Sequence, residues 1–144
     1  MRYEILNTAE ALERCKPLFL ENWEESGQHD QPFELDKTIY EMLAPTGSFA
    51  IAVWDGDELA GYAVVIISSS THTSRQVAYN DTIYVRPKYR SGGLGGRLFF
   101  MAERVAKERG AELFQWAVNP GSPLQLALEK RPHGMVQFIY EREL

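Results

Sequence analysis

The alternation of apolar and polar positions predicts six strands and four helices in this 144-residue chain. Short apolar runs or period-two patterns mark strands over residues 2–6, 48–54, 58–68, 76–85, 113–118 and 134–143. Leu12, Cys15 and Phe19 lie at helical spacing in a first helix, which Pro17 should kink or split. The other helices carry Leu35, Ile39 and Leu43, then Leu94, Leu98, Met101 and Val105, and a last helix follows Ser122. The order β-α-α-β-β-β-α-β-α-β indicates an α/β fold.

Short polar signals predict where several of these elements begin. Asn7 and Glu10 form a capping-box pattern ahead of the first helix, and Ser122 with Gln125 repeats it ahead of the last. The pair at residues 55–56, Asp-Gly, lies between two apolar runs and predicts a tight hairpin.

Length and composition restrict the class of protein. With 144 residues, 44% of them hydrophobic, the chain can bury one sizeable core, so we expect one domain over residues 1–144. The uncharged run of residues 59–74 is apolar only as far as Ile67, short of the roughly 20 residues of a membrane helix. The first residues lack a secretory signal and the single cysteine allows no intramolecular disulfide, so we expect a cytoplasmic protein without membrane association.

Charge is divided unevenly along the chain. Residues 1–50 carry ten acidic and four basic side chains, whereas residues 75–97 carry five basic side chains and one acidic side chain, Asp81. The basic segment suits a phosphate-bearing ligand and the acidic third suits a cationic partner, although residues that only solvate helix faces would give the same pattern. No basic stripe extends from this segment, which disfavours nucleic acid as a partner.

Residues 90–97, with the sequence RSGGLGGR, carry the most specific signal. They follow a strand and begin a helix, so main-chain N–H groups without intrahelical partners converge there, and we expect a phosphate or pyrophosphate site, with a plain loop as the alternative. A P-loop would need Gly-Lys-Ser/Thr where this chain has Arg97-Leu98. A dinucleotide-binding G-x-G-x-x-G would need its third glycine at Leu98.

The pattern that remains is Arg-x-x-Gly-x-Gly, matched by Arg90, Gly93 and Gly95 after the strand and Pro-containing turn of residues 81–89. It resembles the acetyl-coenzyme A site of the GNAT N-acetyltransferase superfamily, most strongly over residues 76–119. The resemblance implies a single GNAT-like domain with a mixed, mostly antiparallel central sheet flanked by helices. It also implies direct transfer of an acetyl group from acetyl-CoA to an amine in a ternary complex. The acidic N-terminal third favours a cationic amine, and a homodimer is left open.

The resemblance also implies which residues hold the cofactor. The pantetheine arm lies beside the strand before the glycines, where N–H groups of Ile83, Tyr84 and Val85 would hold the thioester oxygen; an ordinary core strand would carry the same residues. Asn119 would contact the pantetheine. The pyrophosphate would bind at Arg90, Ser91, Gly92, Gly93, Leu94, Gly95, Gly96 and Arg97.

Acetyl transfer to an amine needs a base for the amine and an acid for the departing thiolate. Asp81 is the first candidate for the base, because it lies two residues before Ile83 and would share its face of the strand. The alternative is a residue that caps a bulge or pairs with an arginine. Glu24, Glu25 and His29 are weaker candidates, in the helix-loop region that lines acceptor sites in the family.

The acid is where this chain departs from the family pattern. Many members carry a tyrosine in the helix after the penultimate strand, and Leu128 occupies that position here. Tyr84, Tyr140 or water would then serve as the acid. The same departure favours, as an alternative function, a non-catalytic acyl-CoA-binding regulatory module.

Neither covalent nor metal catalysis is expected. Cys15 lies on the apolar stripe of the first helix, where a small buried residue is expected rather than a nucleophile. His29, His72 and His133 are too widely spaced for a metal-ligand motif.

Overall fold

The computed structural model describes residues 1–27 and 31–144, which form a five-stranded sheet with helices packed on both faces. The strands are β1 (Arg2–Asn7), β2 (Phe49–Asp55), β3 (Glu58–Ser69), β4 (Gln76–Val85) and β5 (Leu113–Gln115). The helices are α1 (Thr8–Arg14), α2 (Lys16–Ser26), α3 (Lys37–Leu43), α4 (Leu94–Glu108) and α5 (Pro123–Glu129). Two 3₁₀ turns, Ala44–Thr46 and Pro87–Gly92, precede β2 and α4.

The sheet has the strand order β1-β2-β3-β4-β5. Neighbouring strands from β1 to β4 are antiparallel, and β5 is parallel to β4. A parallel neighbour requires a crossover connection, which α4 provides. The prediction of a mixed, mostly antiparallel sheet flanked by helices is therefore confirmed.

Each face of the sheet has its own apolar cluster. Successive side chains of a strand point to opposite faces, so β2 supplies Phe49, Ile51 and Val53 to one cluster and Ala50 and Ala52 to the other. The first cluster packs against α4, and we call this the α4 face. The second packs against α1, α2 and α3, and we call it the α1–α3 face.

The predicted first helix is two helices, as Pro17 indicated. α1 ends at Arg14, and Pro17 occupies the first turn of α2, where its missing N–H removes no helical hydrogen bond. Asn7 caps α1 through the predicted capping box with Glu10. At the last helix Ser122 is the predicted cap, but Gln125 accepts from the N–H of Gly121 instead of completing a capping box.

The predicted strand over residues 134–143 is wrong. Residues 131–144 form neither helix nor strand, and Met135, Phe138 and Ile139 are exposed. β5 is also shorter than predicted, because the chain leaves β4 after Gln115. An apolar pattern favours a strand only where a neighbouring strand pairs with it, and no described strand pairs with this segment.

No helix formed by the described residues is both long enough and apolar enough to cross a lipid bilayer.

Candidate active site

The candidate site lies along β4, where the sheet opens. β4 pairs with β3 from Gln76 to Val85, but it pairs with β5 only through Val77, Ala78 and Tyr79. Beyond Tyr79, β4 therefore has one edge that pairs with no described strand. An unpaired edge presents main-chain N–H and C=O groups to whatever lies beside it.

Asn80 sits where β4 and β5 part. Its side-chain amide donates to the C=O of Ala117 (2.9 Å) and accepts from the N–H of Ala117 (2.7 Å). A side chain thus replaces the strand ladder at this point, which holds the two chain segments farther apart than paired strands. The sequence signal that could have indicated this is a polar amide inside an otherwise strand-like run.

A β-bulge at Asp81 coincides with the opening. Val64 of β3 pairs with Thr82 and the next residue, Val65, pairs with Asn80, so Asp81 is left without a partner in β3. Such an extra residue interrupts the alternation of side chains between the two faces.

The prediction that Asp81 shares a face with Ile83 is wrong because of this bulge. Ile83 packs against the cluster on the α4 face. Asp81 instead contacts Tyr40, which belongs to the cluster on the α1–α3 face. Thr82 also faces this side of the sheet, where it accepts a hydrogen bond from Asn22 of α2. The alternatives for Asp81 were a role in capping a bulge or a pair with an arginine. The structure shows a bulge at Asp81, and the partner of its carboxylate is a tyrosine, Tyr40.

Tyr40 is the partner of Asp81 that the sequence did not indicate. Its hydroxyl donates to Oδ2 of Asp81 at 2.5 Å, and Tyr40 is only 7% exposed. Burial, followed by the charge of Asp81, raises the pKa of Tyr40 far above its usual value, so the phenol keeps its proton and acts as a donor. Thr8 donates to the C=O of Tyr40 (2.6 Å) and fixes this part of α3. Asp81 itself is exposed and accessible to a substrate.

The main-chain groups on the open edge of β4 are those of Ile83 and Val85. The N–H of Arg86 donates to Ala60 of β3 (2.9 Å), and in an antiparallel ladder the direction alternates from one residue to the next. Val85 and Ile83 therefore face away from β3, and the C=O of Val85 indeed accepts from Nε of Arg90 (2.8 Å). The N–H of Tyr84 faces β3, so the implied role of that amide in holding a thioester does not fit.

The side chain of Tyr84 is buried on the α1–α3 face. Its hydroxyl donates to Oε2 of Glu25 at 2.8 Å. Burial and this contact with Glu25 raise the pKa of Tyr84 to about 12. As a candidate acid, Tyr84 therefore has a proton to give, but that proton is directed at a carboxylate.

The first turn of α4 offers main-chain donors to an anion. Gly93 caps this 15-residue helix with φ +73°, a left-handed conformation that favours glycine, and no side chain caps the helix start. The N–H groups of Leu94, Gly95 and Gly96 thus have no intrahelical acceptor. A Cβ added at Gly92, Gly93, Gly95 or Gly96 would meet no atom within 4 Å, so a ligand can reach the main chain here. Ser91, in the preceding turn, is exposed.

The two arginines that flank these glycines differ in their surroundings. Nη2 of Arg90 contacts Oε1 and Oε2 of Glu25 at 2.6 and 2.8 Å. Arg97 is exposed, donates to the C=O of Gly92 (3.2 Å) and has no carboxylate partner among the described residues. Arg97 is therefore the cation that remains available to a phosphate.

The C-terminal candidates lie outside this arrangement. Asn119 is exposed in the segment after β5, and its C=O accepts from the N–H of Ser122 (3.1 Å). Leu128 lies in α5, which contains no tyrosine. Tyr140 is 90% exposed in a segment without helix or strand, so the structure provides nothing that positions its hydroxyl as an acid.

Cys15 is confirmed as a buried small residue. It is fully buried, and burial raises the pKa of its thiol to about 12, which disfavours the nucleophilic thiolate. Glu24 is exposed on α2, and His29 lies outside the described residues. Residues 1–27 and 31–144 contain no cluster of three or more His, Cys, Asp or Glu side chains that could hold a metal ion.

A family model described as the acetyltransferase (GNAT) family matches residues 9–135, which include β4 and the glycine start of α4. The chain belongs to the GNAT acetyltransferase family. A thialysine N-epsilon-acetyltransferase from Sus scrofa is 35% identical over 63 residues, 44% of this chain and only 36% of that protein.

Solved structures of GNAT proteins share the fold. The ribosomal-protein-alanine N-acetyltransferase of Brucella melitensis biovar Abortus 2308 aligns with a TM-score of 0.72 at 16% identity, over 99% of this chain and 98% of its own. An aminoglycoside N-acetyltransferase in complex with CoA aligns with a TM-score of 0.70 at 14% identity, over 99% of each chain. At these identities the likeness shows the fold alone. Acetyl-CoA is the acyl donor of the GNAT family, to which the chain belongs.

Proposed function

We propose that this protein transfers an acetyl group from acetyl-CoA directly to an amine, in a ternary complex of protein, acetyl-CoA and acceptor. One observation carries the proposal. The open edge of β4 ends at Val85, and a single 3₁₀ turn leads from it to Leu94 at the start of α4, where no side chain caps the first N–H groups. This part of the chain therefore offers an extended main chain followed by an anion site.

The residues present fit the two chemical parts of acetyl-CoA. The edge of residues 82–85 can accept the amide groups of the pantetheine arm as an added strand would, with Ile83 and Val85 supplying main-chain groups. The N–H groups of Leu94, Gly95 and Gly96 would hold the pyrophosphate, beside Ser91, Gly92, Gly93 and Arg97. Asn119, in the segment after β5, would contact the pantetheine arm, as the family resemblance implies. Bound acetyl-CoA would supply the thioester carbonyl that the amine attacks.

Asp81 is the base in this proposal. Its carboxylate lies where the edge opens, within about 7 Å along the strand from Ile83 at the usual rise per residue. Tyr40 holds one oxygen of the carboxylate, which orients the group, and the exposed side chain accepts a proton from the ammonium form of the acceptor. Water protonates the departing thiolate, because α5 has Leu128 in place of a tyrosine and the hydroxyl of Tyr84 is bound to Glu25.

The acceptor in this proposal is a cationic amine. Asp81, exposed where the edge opens, favours a positive charge there. Glu21 and Glu25 of α2, by contrast, are matched by Arg86 and Arg90. The similar proteins named above include an enzyme for a lysine analogue and an aminoglycoside acetyltransferase, which act on amines.

A screen for thiol release tests the proposal. Purified protein is mixed with acetyl-CoA and a panel of polyamines, aminoglycosides and lysine-containing peptides, and the acetylated amine is identified by mass spectrometry. We expect release above the acetyl-CoA background with at least one class of amine. Background release with every amine, despite measurable CoA binding, would contradict the transferase activity.

A non-catalytic acyl-CoA-binding module is the second candidate. Leu128 and the exposed Tyr140 favour it, because neither provides a positioned acid. Its signature would be an increase in melting temperature with acetyl-CoA, without turnover of any amine.

A further inference from the structure

Two parallel ion pairs join α2 to the turn that precedes α4. Glu21 and Glu25 are one helical turn apart, and Arg86 and Arg90 are separated by the same number of residues. Nη2 of Arg86 lies 2.5 Å from Oε1 of Glu21, and Nη2 of Arg90 lies 2.6 Å from Oε1 of Glu25. The turn is thereby attached to the α1–α3 side of the sheet.

Arg90 is held on three sides. Nε donates to the C=O of Val85 (2.8 Å), Nη2 donates to both oxygens of Glu25, and the guanidinium lies 5.5 Å from the centre of the Tyr84 ring. Tyr84 donates to the same carboxylate through its hydroxyl (2.8 Å). A guanidinium has a planar set of donors, so these contacts define its orientation.

The contact with Val85 places Arg90 beside the part of the proposed cofactor site that takes the pantetheine arm, between the acyl end near Asp81 and Ile83 and the pyrophosphate site at the start of α4. The C=O and N–H of a strand residue point to the same edge, and the edge of Val85 is the open one. By holding the C=O, Arg90 also fixes the direction of the Val85 N–H, which would face an amide group of the pantetheine arm. Its charge is meanwhile matched by Glu25, which leaves Arg97 as the free cation beside the glycines.

We propose that Arg90 is a positioning residue for the pantetheine arm, held in place by Glu25, and is not a ligand of the cofactor's pyrophosphate. This inference rests on the proposed function. It reassigns the residue that the family pattern associates with the phosphates.

The decisive experiment compares two acyl donors, acetyl-CoA and S-acetylpantetheine, which carry the same thioester but differ in the pyrophosphate. Thiol release is measured with the best amine of the panel. Arg90→Gln should lower kcat/KM by a similar factor, about 10- to 100-fold, with both donors, because a misplaced Val85 main chain would misplace the pantetheine arm that both donors carry. Its main effect should be on kcat.

Arg97→Gln is the matched control. It should raise KM for acetyl-CoA about tenfold and leave S-acetylpantetheine unaffected, because only the former has phosphates to lose. Arg90→Lys keeps the charge but lacks the planar donors, so it should not restore the activity lost in Arg90→Gln. Glu25→Gln should reproduce part of the loss with both donors.

Three results would overturn the inference while leaving the proposed function intact. They are a loss in Arg90→Gln confined to acetyl-CoA, full activity of Arg90→Lys, and tighter CoA binding in Glu25→Gln through release of Arg90 to the phosphates. If Arg90→Gln does not fold, the same donor comparison is made on Arg90→Lys and Glu25→Gln. A wild-type protein that binds CoA but releases no thiol from either donor would instead overturn the proposed function, and the inference with it.

Discussion

The two halves of β4 have the same partner on one side and different surroundings on the other. Residues 76–79 pair with β3 and include all the residues that pair with β5, whereas residues 82–85 pair with β3 alone. The first half is an interior part of the sheet. The second half leaves the main-chain groups of Ile83 and the N–H of Val85 without a partner strand, and these are groups that a bound pantetheine would need.

The pairing of β4 changes at two successive residues, Asn80 and Asp81, and each contributes differently to the change. Asn80 bridges to Ala117 by its side chain and so ends the ladder with β5. Asp81 bulges from the ladder with β3 and turns its carboxylate to Tyr40. The comparison indicates that the site is formed where regular pairing stops, since fully paired strands have no main-chain groups left for a ligand.

The largest expected effect is that of Asp81→Asn at the point of change. It should lower kcat at neutral pH by about 100-fold or more, because the amide cannot accept the proton of the amine. CoA affinity should stay nearly unchanged, as measured by isothermal titration calorimetry.

Asp57→Asn is the control for Asp81→Asn, since Asp57 is an exposed carboxylate in the turn between β2 and β3 and has no ion-pair partner among the described residues. It should keep wild-type turnover. Unchanged turnover in Asp81→Asn would remove Asp81 from the role of base.

The second prediction concerns the anion site that continues the open half. Gly93→Val should weaken CoA binding about tenfold or more, because the side chain would fill the space beside the free N–H groups of α4. A β-branched residue at φ +73° is also strained, so the free energy of unfolding should fall by about 1–2 kcal/mol.

Gly110→Val separates the strain from the binding effect. Gly110 follows the other end of α4 at φ +95°, with an equally open environment. Gly110→Val should destabilise the protein about as much as Gly93→Val in thermal or urea unfolding, without weakening CoA binding. Normal CoA affinity in Gly93→Val would contradict the anion site.

The third prediction concerns Asn80, which lies between the two halves of β4. Asn80→Ala removes two hydrogen bonds to Ala117 and should lower the free energy of unfolding by about 1–2 kcal/mol. Gln76→Ala, in the closed half, removes one exposed side-chain hydrogen bond to Ser69 and should cost less than about 0.5 kcal/mol. Equal losses in the free energy of urea unfolding for Asn80→Ala and Gln76→Ala would show that the side chain of Asn80 does not stabilise the place where β4 and β5 separate.

The smallest expected effect is in the ion pair that anchors the turn after the open half. The hydrogen bond from Arg86 holds the pKa of Glu21 below the usual 4.5, so the unfolded state binds a proton more readily than the folded state. This stabilisation is present above pH 4.5 and is lost as the pH falls through the lower folded value. Glu21→Gln should thus lower the free energy of unfolding at pH 7 by less than about 1 kcal/mol, since the pair is partly exposed.

The pH dependence checks this assignment. The free energy of unfolding is measured in urea at pH 7 and pH 3 for Glu21→Gln and for the wild type. The difference between the two proteins should be smaller at pH 3. Glu24→Gln is the control, because Glu24 is exposed on α2 and makes no ion pair with another described residue. A constant difference at both pH values would show that the ion pair is not its source.

Much of the framework followed from local patterns. β4 and the glycine start of α4 were predicted closely, because an apolar run and a cluster of glycines are signals contained within a few residues. The caps by Asn7 and Ser122 were predictable for the same reason. The glycines and the strand before them indicate the GNAT family from the sequence alone.

Other features depend on partners far away in the chain. The face of Asp81 was mispredicted, because the bulge arises only when β4 pairs with β3. The stripe predicted for the second helix included Ile39, which is exposed, whereas its neighbour Tyr40 is buried against Asp81. Nothing near Arg90 in sequence indicates Glu25, which lies 65 residues away.

The sequence by itself determined the order of the strands and helices up to α5, the glycine turn and the family, because these depend on backbone preferences and on contacts within a few residues. The tertiary structure alone decided which edge of β4 stays open, which face Asp81 occupies and whether residues 134–143 form a strand. Pairing between strands and between charged groups requires distant segments to meet, and a local pattern states only that a segment can pair, not with what.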